Sequence, residues 1–247
     1  MKYIYTLVLL FPCFIFSQPP GNGMVFDGNS DYYTVNDNSS IDMNGSFTIE
    51  AWINPCDTLG HKMILSKQWC NGSLSSYYFS FLNGKLKWFW NNNGVCGVSS
   101  GGNSYESTGN IIRNNIWQHV AVVHTPTSIT FYYNGVAVAG GLVSGLYGGI
   151  LFNSSEPLRV GTYRRNSGSY DFFLNGRIDE VRFWNTALSS SQILSRFNTS
   201  LAGNETSLQL YHNFESISGL VINNSCTATG AVNNGTNTIG LVSGKLS

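Results

Sequence analysis

Pairs of acidic residues are one feature of this sequence that could carry out a reaction. Two carboxylates that flank a glycosidic bond can hydrolyse it. Asp179 and Glu180 are adjacent in the run 176–184, whose alternation of polar and apolar residues predicts a strand. Neighbouring residues of a strand point to opposite faces, so these two acids are not expected to act together. Glu50 lies in a second strand-like run, where we expect a buried acid paired with an arginine such as Arg182.

The four histidines provide no recognisable catalytic or metal-binding pattern. His61 lies in a loop, His119 and His124 belong to one strand-like run, and His212 belongs to another. None of them has the spacing of a helical zinc site, and no serine has the sequence context of a nucleophile elbow. We therefore expect His119 to be a packed, hydrogen-bonded histidine.

The composition excludes nucleic acid as a partner recognised by charge. The 247 residues include 13 Lys and Arg against 13 Asp and Glu, and only 11% of the chain is charged. Nucleic-acid binding needs a basic face that neutralises phosphates. Aromatic residues at 14%, together with 27 glycines, are typical of a β protein rich in turns.

The first 17 residues have the pattern of a secretory signal peptide. Lys2 supplies the positive end, residues 3–16 are apolar, and Ser17 is a small residue before Gln18. An apolar run of about 14 residues is too short to cross a bilayer, which takes about 20, and no later segment is long enough. We expect cleavage after Ser17 and a chain without a transmembrane segment, secreted or on the surface of a bacterial cell.

Four cysteines follow the predicted signal: Cys56, Cys70, Cys96 and Cys226. An even number in an oxidising compartment favours two disulfides, for which three pairings exist. The strand pattern brings the loops of Cys70 and Cys96 to the same end of a meander. We therefore expect those two to pair and, by elimination, Cys56 to pair with Cys226. A zinc site is the alternative, disfavoured because the sequence has no C-x-x-C motif or Cys/His cluster.

Short strands separated by turn residues recur along the chain, which predicts a sandwich or a barrel. Asn83-Gly84 and Asn134-Gly135 supply the positive φ angles of type I′ hairpin turns. The predicted strands cover 32–35, 47–54, 63–67, 77–82, 85–90, 117–124, 129–133, 158–162, 176–184 and 208–214.

Local patterns also predict one helix and the two faces of one strand. Ser189 followed by Gln192 is a capping box, which predicts a short helix near 189–196. In the strand that begins at Lys85, alternation places one set of side chains in the core and the other set on the opposite face. The core set is Leu86, Trp88 and Trp90, and the opposite set is Lys85, Lys87 and Phe89.

An ordered set of sequence blocks spans residues 24–215. The blocks are F-D-G at 26–28, F-T-I-E-A-W-I at 47–53, I-L-S-K at 64–67, W-Q-H-V-A-V-V at 117–123, Y-N-G at 133–135, L-R-V-G at 158–161, F-L-N-G-R-I-D-E-V-R-F-W-N-T-A-L-S at 173–189 and L-Q-L-Y-H-N-F-E at 208–215. With these blocks the chain resembles the LamG-like jellyroll family of the concanavalin A-like lectin and glucanase superfamily. The resemblance implies an all-β, antiparallel two-sheet jellyroll sandwich over residues 18–220.

The tail, residues 221–247, has two interpretations. It is similar to the lead-in that precedes the next F-D-G block in tandem members of the family, which would make this chain part of a longer protein with further domains. Alternatively, it closes the first sandwich through Cys226.

The resemblance also bears on catalysis and on metal. Laminarinase-like members carry their acids as E-x-D-x-x-E on one strand, and that motif does not occur here. Relatives often hold one structural Ca²⁺, and Asp27, backbone oxygen near Gly45 and Asp179 are the positions that the resemblance implies as ligands. The alternative is that Asp27 and Asp179 cap turns or pair with Arg177.

Glycan binding is the function that these observations favour, because sugar rings stack on aromatic side chains while polar groups bond the hydroxyls. We expect a secreted, non-catalytic recognition or adhesion module for carbohydrate or a glycosylated surface. The alternatives are a divergent glycoside hydrolase or polysaccharide lyase, and a structural spacer domain of a larger cell-surface protein. The candidate ligand-binding residues, all expected in loops, are Trp69, Tyr105, Tyr163, Arg164, Tyr170 and Asp171.

Overall fold

The structure is a computed structural model that describes residues 19, 21–71, 74–96, 102–215, 217–218, 221–222 and 225–226. The predicted signal peptide, with its cleavage after Ser17, lies outside the described residues, as does most of the tail 221–247. No helix among the described residues is long and apolar enough to cross a membrane.

Strands dominate the described part of the chain. They are β1 (Met24–Asp27), β2 (Tyr33–Val35), β3 (Phe47–Pro55), β4 (His61–Trp69), β5 (Leu74–Leu82), β6 (Lys85–Asn91), β7 (Gly102–Ser107), β8 (Gln118–Thr125), β9 (Ser128–Tyr133), β10 (Val136–Val138), β11 (Gly140–Ser144), β12 (Leu158–Val160), β13 (Tyr163–Arg164), β14 (Tyr170–Asp171), β15 (Asn175–Trp184), β16 (Leu208–His212), β17 (Ile217–Ser218) and β18 (Val221–Ile222), with one helix, α1 (Ser190–Arg196).

These strands form two sheets that pack face to face, which confirms the predicted jellyroll sandwich. The first sheet has the order β1-β15-β3-β8-β9-β10, and β16 also pairs with β15. The second sheet has the order β11-β7-β6-β5-β4-β12-β2, and the short hairpin β13–β14 joins it through β4. The β13–β4 pairing is parallel, whereas the other ladders of both sheets are antiparallel.

The core lies between the sheets and is built from every second residue of the central strands. Trp88 is fully buried, as predicted for its face of β6, and its indole N–H donates to Nδ1 of His124 at 3.2 Å. The ring of Phe79 in the second sheet meets that of Phe131 in the first at 5.9 Å. Burying a side chain of this size contributes about 1.5–3 kcal/mol, so the strand faces are strongly determined.

A second buried layer covers the outer face of the first sheet and contains charges. The predicted pair of Glu50 and Arg182 is present, with Oε1 at 3.4 Å from Nη1, and His119 Nε2 lies 3.0 Å from Oε2 of Glu50. Burial alone would raise the pKa of Glu50, but the hydrogen bond to His119 and the charge of Arg182 lower it to about 2. Removing either partner would leave a buried charge, which costs about 3–5 kcal/mol.

The helix α1 begins as its sequence predicts. The Ser189 hydroxyl accepts from the backbone N–H of Gln192, and the Gln192 side chain accepts from the backbone N–H of Ser189. Ile193 is buried, so one apolar edge of this short helix packs onto the first sheet.

One predicted disulfide is confirmed and the other is wrong. Cys70 and Cys96 are bonded, with Cα atoms 5.1 Å apart. Cys56 and Cys226 are free thiols, the first exposed and the second buried.

The register of the first sheet explains why the second pair does not form. Cys226 donates its thiol to the carbonyl of Leu208, which lies level with Thr48 because both are opposite Trp184. Cys56 follows Pro55 at the far end of the same strand, about 26 Å from Thr48 at ~3.3 Å per residue. A disulfide needs Cα atoms within about 7 Å.

This assignment predicts how the thiol count changes in denatured, unreduced protein. Cys56→Ser removes one titratable thiol, whereas Cys70→Ser adds one because it frees Cys96. Cys70→Ser also lowers the free energy of unfolding by about 3 kcal/mol, since the bond closes a loop that spans 26 residues. Thiol titration and chemical denaturation check both results, and a Cys56→Ser protein that gains a thiol would contradict them.

Candidate functional site

A groove of about 570 Å³ runs over the outer face of the second sheet. Its floor comes from β4, β5, β6 and β7, and its two walls come from β11 and from the β13–β14 hairpin with the turn after it. The groove is lined by His61, Met63, Gln68, Cys70, Tyr78, Lys87, Phe89, Cys96, Ser104, Val143, Ser144, Tyr163, Asn166 and Phe172.

Aromatic rings form much of this surface. Because Phe79 and Trp88 point into the core, their neighbours Tyr78 and Phe89 must point outward. Those two outward rings are opposite each other across the β5–β6 ladder and stack nearly parallel, with centroids 4.8 Å apart at 7°. Tyr163 meets the edge of Tyr78 at 6.3 Å and 90°.

The wall of the groove continues at Phe172, whose ring lies 5.5 Å from that of Tyr163 and 4.7 Å from that of His61. Phe172 has a φ angle of 54°, in the left-handed region that bulky residues seldom adopt. Its carbonyl accepts from the backbone N–H of Met63 at 2.9 Å, which ties this strained residue to β4. Strain of this kind is often held at functional positions.

The polar groups of the groove are mostly neutral or paired. Lys87 Nζ lies 2.6 Å from Oε1 of Glu106, so these two charges offset each other. His61 shares a hydrogen bond of 3.0 Å with the Ser80 hydroxyl. Burial, with a smaller effect of Lys87, lowers the pKa of His61 to about 4, so the imidazole is neutral at pH 7.

The disulfide closes one end of the groove. Gln68 Nε2 lies 3.2 Å from Sγ of Cys70 and donates to the Tyr163 hydroxyl, also at 3.2 Å. The side-chain amide oxygen of Gln68, Oε1, is buried and accepts no hydrogen bond from the part of the chain that the structure describes. The same is true of the hydroxyls of Ser104 and Ser144 on the floor and the opposite wall. These groups can bond a ligand or water.

The residues predicted to bind ligand fall into different places. Tyr163 lines the groove, and Asp171 lies opposite it in the hairpin, bonded to Arg165 Nε at 2.6 Å. Trp69, Arg164 and Tyr170 lie side by side on the other face of the hairpin.

The prediction that Tyr105 lies in a loop and binds ligand is wrong. It belongs to β7, its side chain is only 6% exposed, and its ring packs edge-on against Phe131 at 5.2 Å. Glycine, asparagine and serine precede Tyr105 in β7 and hide the alternation of the strand, so the sequence pattern predicts a loop here. Trp69, Tyr163, Arg164, Tyr170 and Asp171 also lie in strands rather than loops.

The sequence interpretation missed the main aromatic residues of the groove. Phe89 had been placed on the outer face of β6, and the same alternation across the Asn83-Gly84 hairpin could have identified Tyr78 as its partner. Phe172 carries no such signal, because its position depends on an unusual backbone angle.

The three residues that the family resemblance implied as calcium ligands are not brought together. Asp27 Oδ1 accepts from the backbone N–H groups of Asn29, Ser30 and Asp31, so this carboxylate caps a turn. Asp27 pairs across the ladder with a residue four positions from Asp179, which separates the two by about 13 Å.

Gly45 precedes β3, whose first residue, Phe47, lies five positions and about 17 Å along the strand from Trp52, the residue opposite Asp179. Among the described residues, no group of three or more His, Cys, Asp or Glu side chains converges on one point. The predicted ligand set therefore does not fit one ion, and calcium binding stays a prediction.

Asp179 is a buried acid with a raised pKa, unlike the ionised carboxylate of a metal ligand. Its side chain is fully buried, Oδ1 accepts from the backbone N–H of Glu180 at 2.6 Å, and Oδ2 has no hydrogen bond to a described residue. Burial, reinforced by the charge of Glu180, raises the pKa of Asp179 to about 9. At neutral pH this acid is protonated.

Comparisons with known proteins agree with the architecture. The family model Laminin_G_3, described as the concanavalin A-like lectin/glucanases superfamily, matches residues 27–194. No curated protein matches the sequence.

Solved structures share the fold at low identity. A protein of Bacteroides ovatus ATCC 8483, provisionally named as carbohydrate binding, has a TM-score of 0.66 at 20% identity, covering 92% of this chain and 59% of its own. This chain thus spans less than two thirds of that protein. The CBM40 of the Ruminococcus gnavus IT-sialidase, bound to α2,3 sialyllactose, has a TM-score of 0.56 at 13% identity, covering 72% of this chain and 97% of its own. The SAP-like pentraxin of Limulus polyphemus has a TM-score of 0.50 at 16% identity, covering 70% and 80%.

The state of Asp179 leads to a stability prediction. The folded pKa of about 9 exceeds the unfolded value of about 3.9. The contribution of Asp179 to the free energy of unfolding is therefore most favourable below pH 4, and it falls as the pH rises from about 4 to about 9. Asp179→Asn removes the ionisation, so the free energy of unfolding at pH 7 should rise by up to about 4 kcal/mol. Denaturant melts from pH 3 to pH 8 should show the gain shrinking to nothing at the acid end.

Asp27→Asn is the matched control. Burial acts to raise the pKa of Asp27, but the backbone hydrogen bonds from Ser30, Asn29 and Asp31 together outweigh it and lower the pKa to about 2. This exposed variant should lose stability at pH 7 rather than gain it. An Asp179→Asn protein that is less stable than the wild type at pH 7 would contradict the prediction.

Proposed function

The chain belongs to the concanavalin A-like lectin/glucanase superfamily, and from this we propose that it is a non-catalytic carbohydrate-binding module whose ligand lies in the groove of the second sheet. The observation that carries the proposal is the aromatic surface of that groove, where Tyr78 and Phe89 stack and Tyr163 stands at right angles to them. Sugar rings present C–H faces that pack on aromatic rings, while their hydroxyls need hydrogen-bonding partners.

The partly exposed rings of Tyr163 and Phe172 supply the packing surface. Gln68 supplies an amide beside the first ring, and Ser144 supplies a hydroxyl on the opposite wall. Both have a buried polar atom without a hydrogen bond to the described residues, so a small side-chain rotation that exposes this atom would provide a partner for a sugar hydroxyl. The groove thus combines an apolar face with polar groups on two sides.

The acids of the chain support a binding role over hydrolysis. Glu106 beside the groove is held by Lys87 at 2.6 Å, and Asp171 is held by Arg165. The buried acids Glu50 and Glu180 lie on the first sheet, on the other side of the core, where Arg182 pairs with both. General acid–base catalysis needs carboxylates free to face one bond, and each of these four is bound to a cation.

Relatives and the disulfide support the same class and an extracellular setting. The CBM40 and the Bacteroides ovatus protein, which share the fold of this chain, are named for carbohydrate binding. A disulfide such as Cys70–Cys96 persists in oxidising compartments, in keeping with the predicted signal peptide. We propose a module secreted or held at the cell surface, one of several domains of a longer protein, whose partner is a glycan or a glycosylated surface.

The groove can be tested with a glycan array and titration of the strongest neutral hit. Tyr163→Ala removes a ring from the wall and should weaken binding at least tenfold, in line with about 2 kcal/mol or more for truncating an aromatic residue that anchors an interface. Tyr147→Ala is the matched control, because this tyrosine is 42% exposed and does not line the groove. Its binding should stay within twofold of the wild type.

Two results would overturn the proposal. One is an array on which the folded protein binds no glycan, which would favour a structural spacer. The other is release of reducing ends from any polysaccharide in a panel, which would favour a glycoside hydrolase, or of unsaturated products, which would favour a lyase.

A further inference from the structure

A second cluster of side chains lies behind the groove wall. Tyr163 and Arg164 are consecutive in β13, so they point to opposite faces of the hairpin, and only Tyr163 lines the groove. On the far face, Arg164 lies between Trp69 of β4 and Tyr170 of β14, each directly opposite it in its ladder. We name these three residues, together with Arg159 and Glu156 beneath them, the Arg164 cluster.

Arg164 is held in place without using its hydrogen-bond donors. Its guanidinium carbon lies 3.9 Å from the centre of the Trp69 ring, which fixes the plane of the group. The nearest acid, Glu156, has Oε2 at 3.5 Å from Nη1, and the side chain of Arg164 makes no hydrogen bond to a residue that the structure describes. The side chain is 27% exposed. A stacked guanidinium presents its N–H groups at its edge, in the fork that matches a carboxylate or a sulfate.

The acid in the cluster already has a stronger partner. Arg159 is 2% exposed, and its Nη2 lies 2.6 Å from Oε2 of Glu156. The Nε–H of the same buried arginine has no partner in the described ranges. With two arginines and one acid, the cluster carries about one uncompensated positive charge.

The charges of the two arginines act on the neighbouring Tyr170. Tyr170 stacks on Tyr32 with centroids 4.7 Å apart, and Arg159 lies 5.8 Å from the centre of the Tyr170 ring. Burial would raise the pKa of Tyr170, but the hydrogen bond with Tyr32 and the charges of Arg159 and Arg164 lower it.

We propose that the Arg164 cluster is a second binding site, which takes the carboxylate or sulfate of an acidic sugar on the edge of Arg164. The sugar ring would pack on the exposed rim of the Tyr32–Tyr170 pair, as neutral rings pack in the groove. The inference rests on the proposed function and narrows its ligand class to acidic glycans. It also gives a role to Trp69 as a positioning residue that orients the guanidinium.

A glycan array that holds neutral, carboxylate-bearing and sulfate-bearing glycans tests this site. The full chain should bind acidic glycans at least tenfold more tightly than neutral glycans of the same backbone. Arg164→Gln should abolish that preference while leaving binding to neutral glycans within twofold. Arg164→Lys keeps the charge but loses the fork and the flat stacking surface, so it should restore the preference only in part.

Arg177→Gln is the control, because it removes the same charge from an exposed position on the first sheet. It should leave the preference unchanged, and near- and far-ultraviolet circular dichroism should match for all variants. Loss of preference on the carboxylate arm alone, or on the sulfate arm alone, identifies which anion the site takes.

The outcomes separate the two proposals. Hits confined to neutral glycans, or an Arg164→Gln protein that keeps the preference, overturn the second site and leave the groove proposal intact. Binding of acidic glycans that is lost in Arg164→Gln supports the second site, and binding of neutral glycans that is unchanged in Tyr163→Ala overturns the groove. A blank array overturns both.

Discussion

The pleat of the β5–β6 hairpin is the constraint on which the rest of the molecule depends. Alternate residues of these strands must fill the space between the sheets, and Phe79 and Trp88 do so against the first sheet. Their neighbours Tyr78 and Phe89 must therefore point outward, where they form part of the floor of the groove. A register slip of one residue would exchange the core for the binding surface, and the apolar burial on one face prevents that slip.

The two sheets of the sandwich differ in what covers their outer faces. The first sheet is sealed by α1 and the segment after it, whose backbone carbonyls at Arg196 and Thr199 accept from Arg182. That arginine is then shared with Glu50 and Glu180, so the charged cluster beneath the helix is closed. Among the described residues, the outer face of the second sheet carries the short hairpin β13–β14 and β11 at its margins. The proposed binding site therefore lies on the second sheet.

Much of the scaffold could be predicted from the sequence because it depends on local rules. Alternation predicted the buried face of β6, the Asn-Gly turn predicted its hairpin, and Ser189 with Gln192 predicted the cap of α1. The site was harder because it depends on where separate segments meet. β13 is only two residues long, too short for alternation to show that Tyr163 and Arg164 serve different faces.

Some features of the structure lie beyond what local sequence patterns predict. A bulge follows Asp179 in β15, where Glu180 has a φ angle of 52°, and both acids are buried, which simple alternation along the strand does not foresee. The pairing of Cys56 with Cys226 followed from elimination, which carries no information about distance. The calcium ligands came from family resemblance, and their separation along β3 and β15 is visible only in the ladder register.

Amide hydrogen exchange with and without a saturating oligosaccharide tests the central claim most directly, since it reports which strands the ligand covers. The account predicts slower exchange in β4 to β7 and in the β13–β14 hairpin, with β8, β9 and β15 unchanged. Protection confined to the first sheet, or bound ligand with no change around Tyr78 and Tyr163, would contradict it.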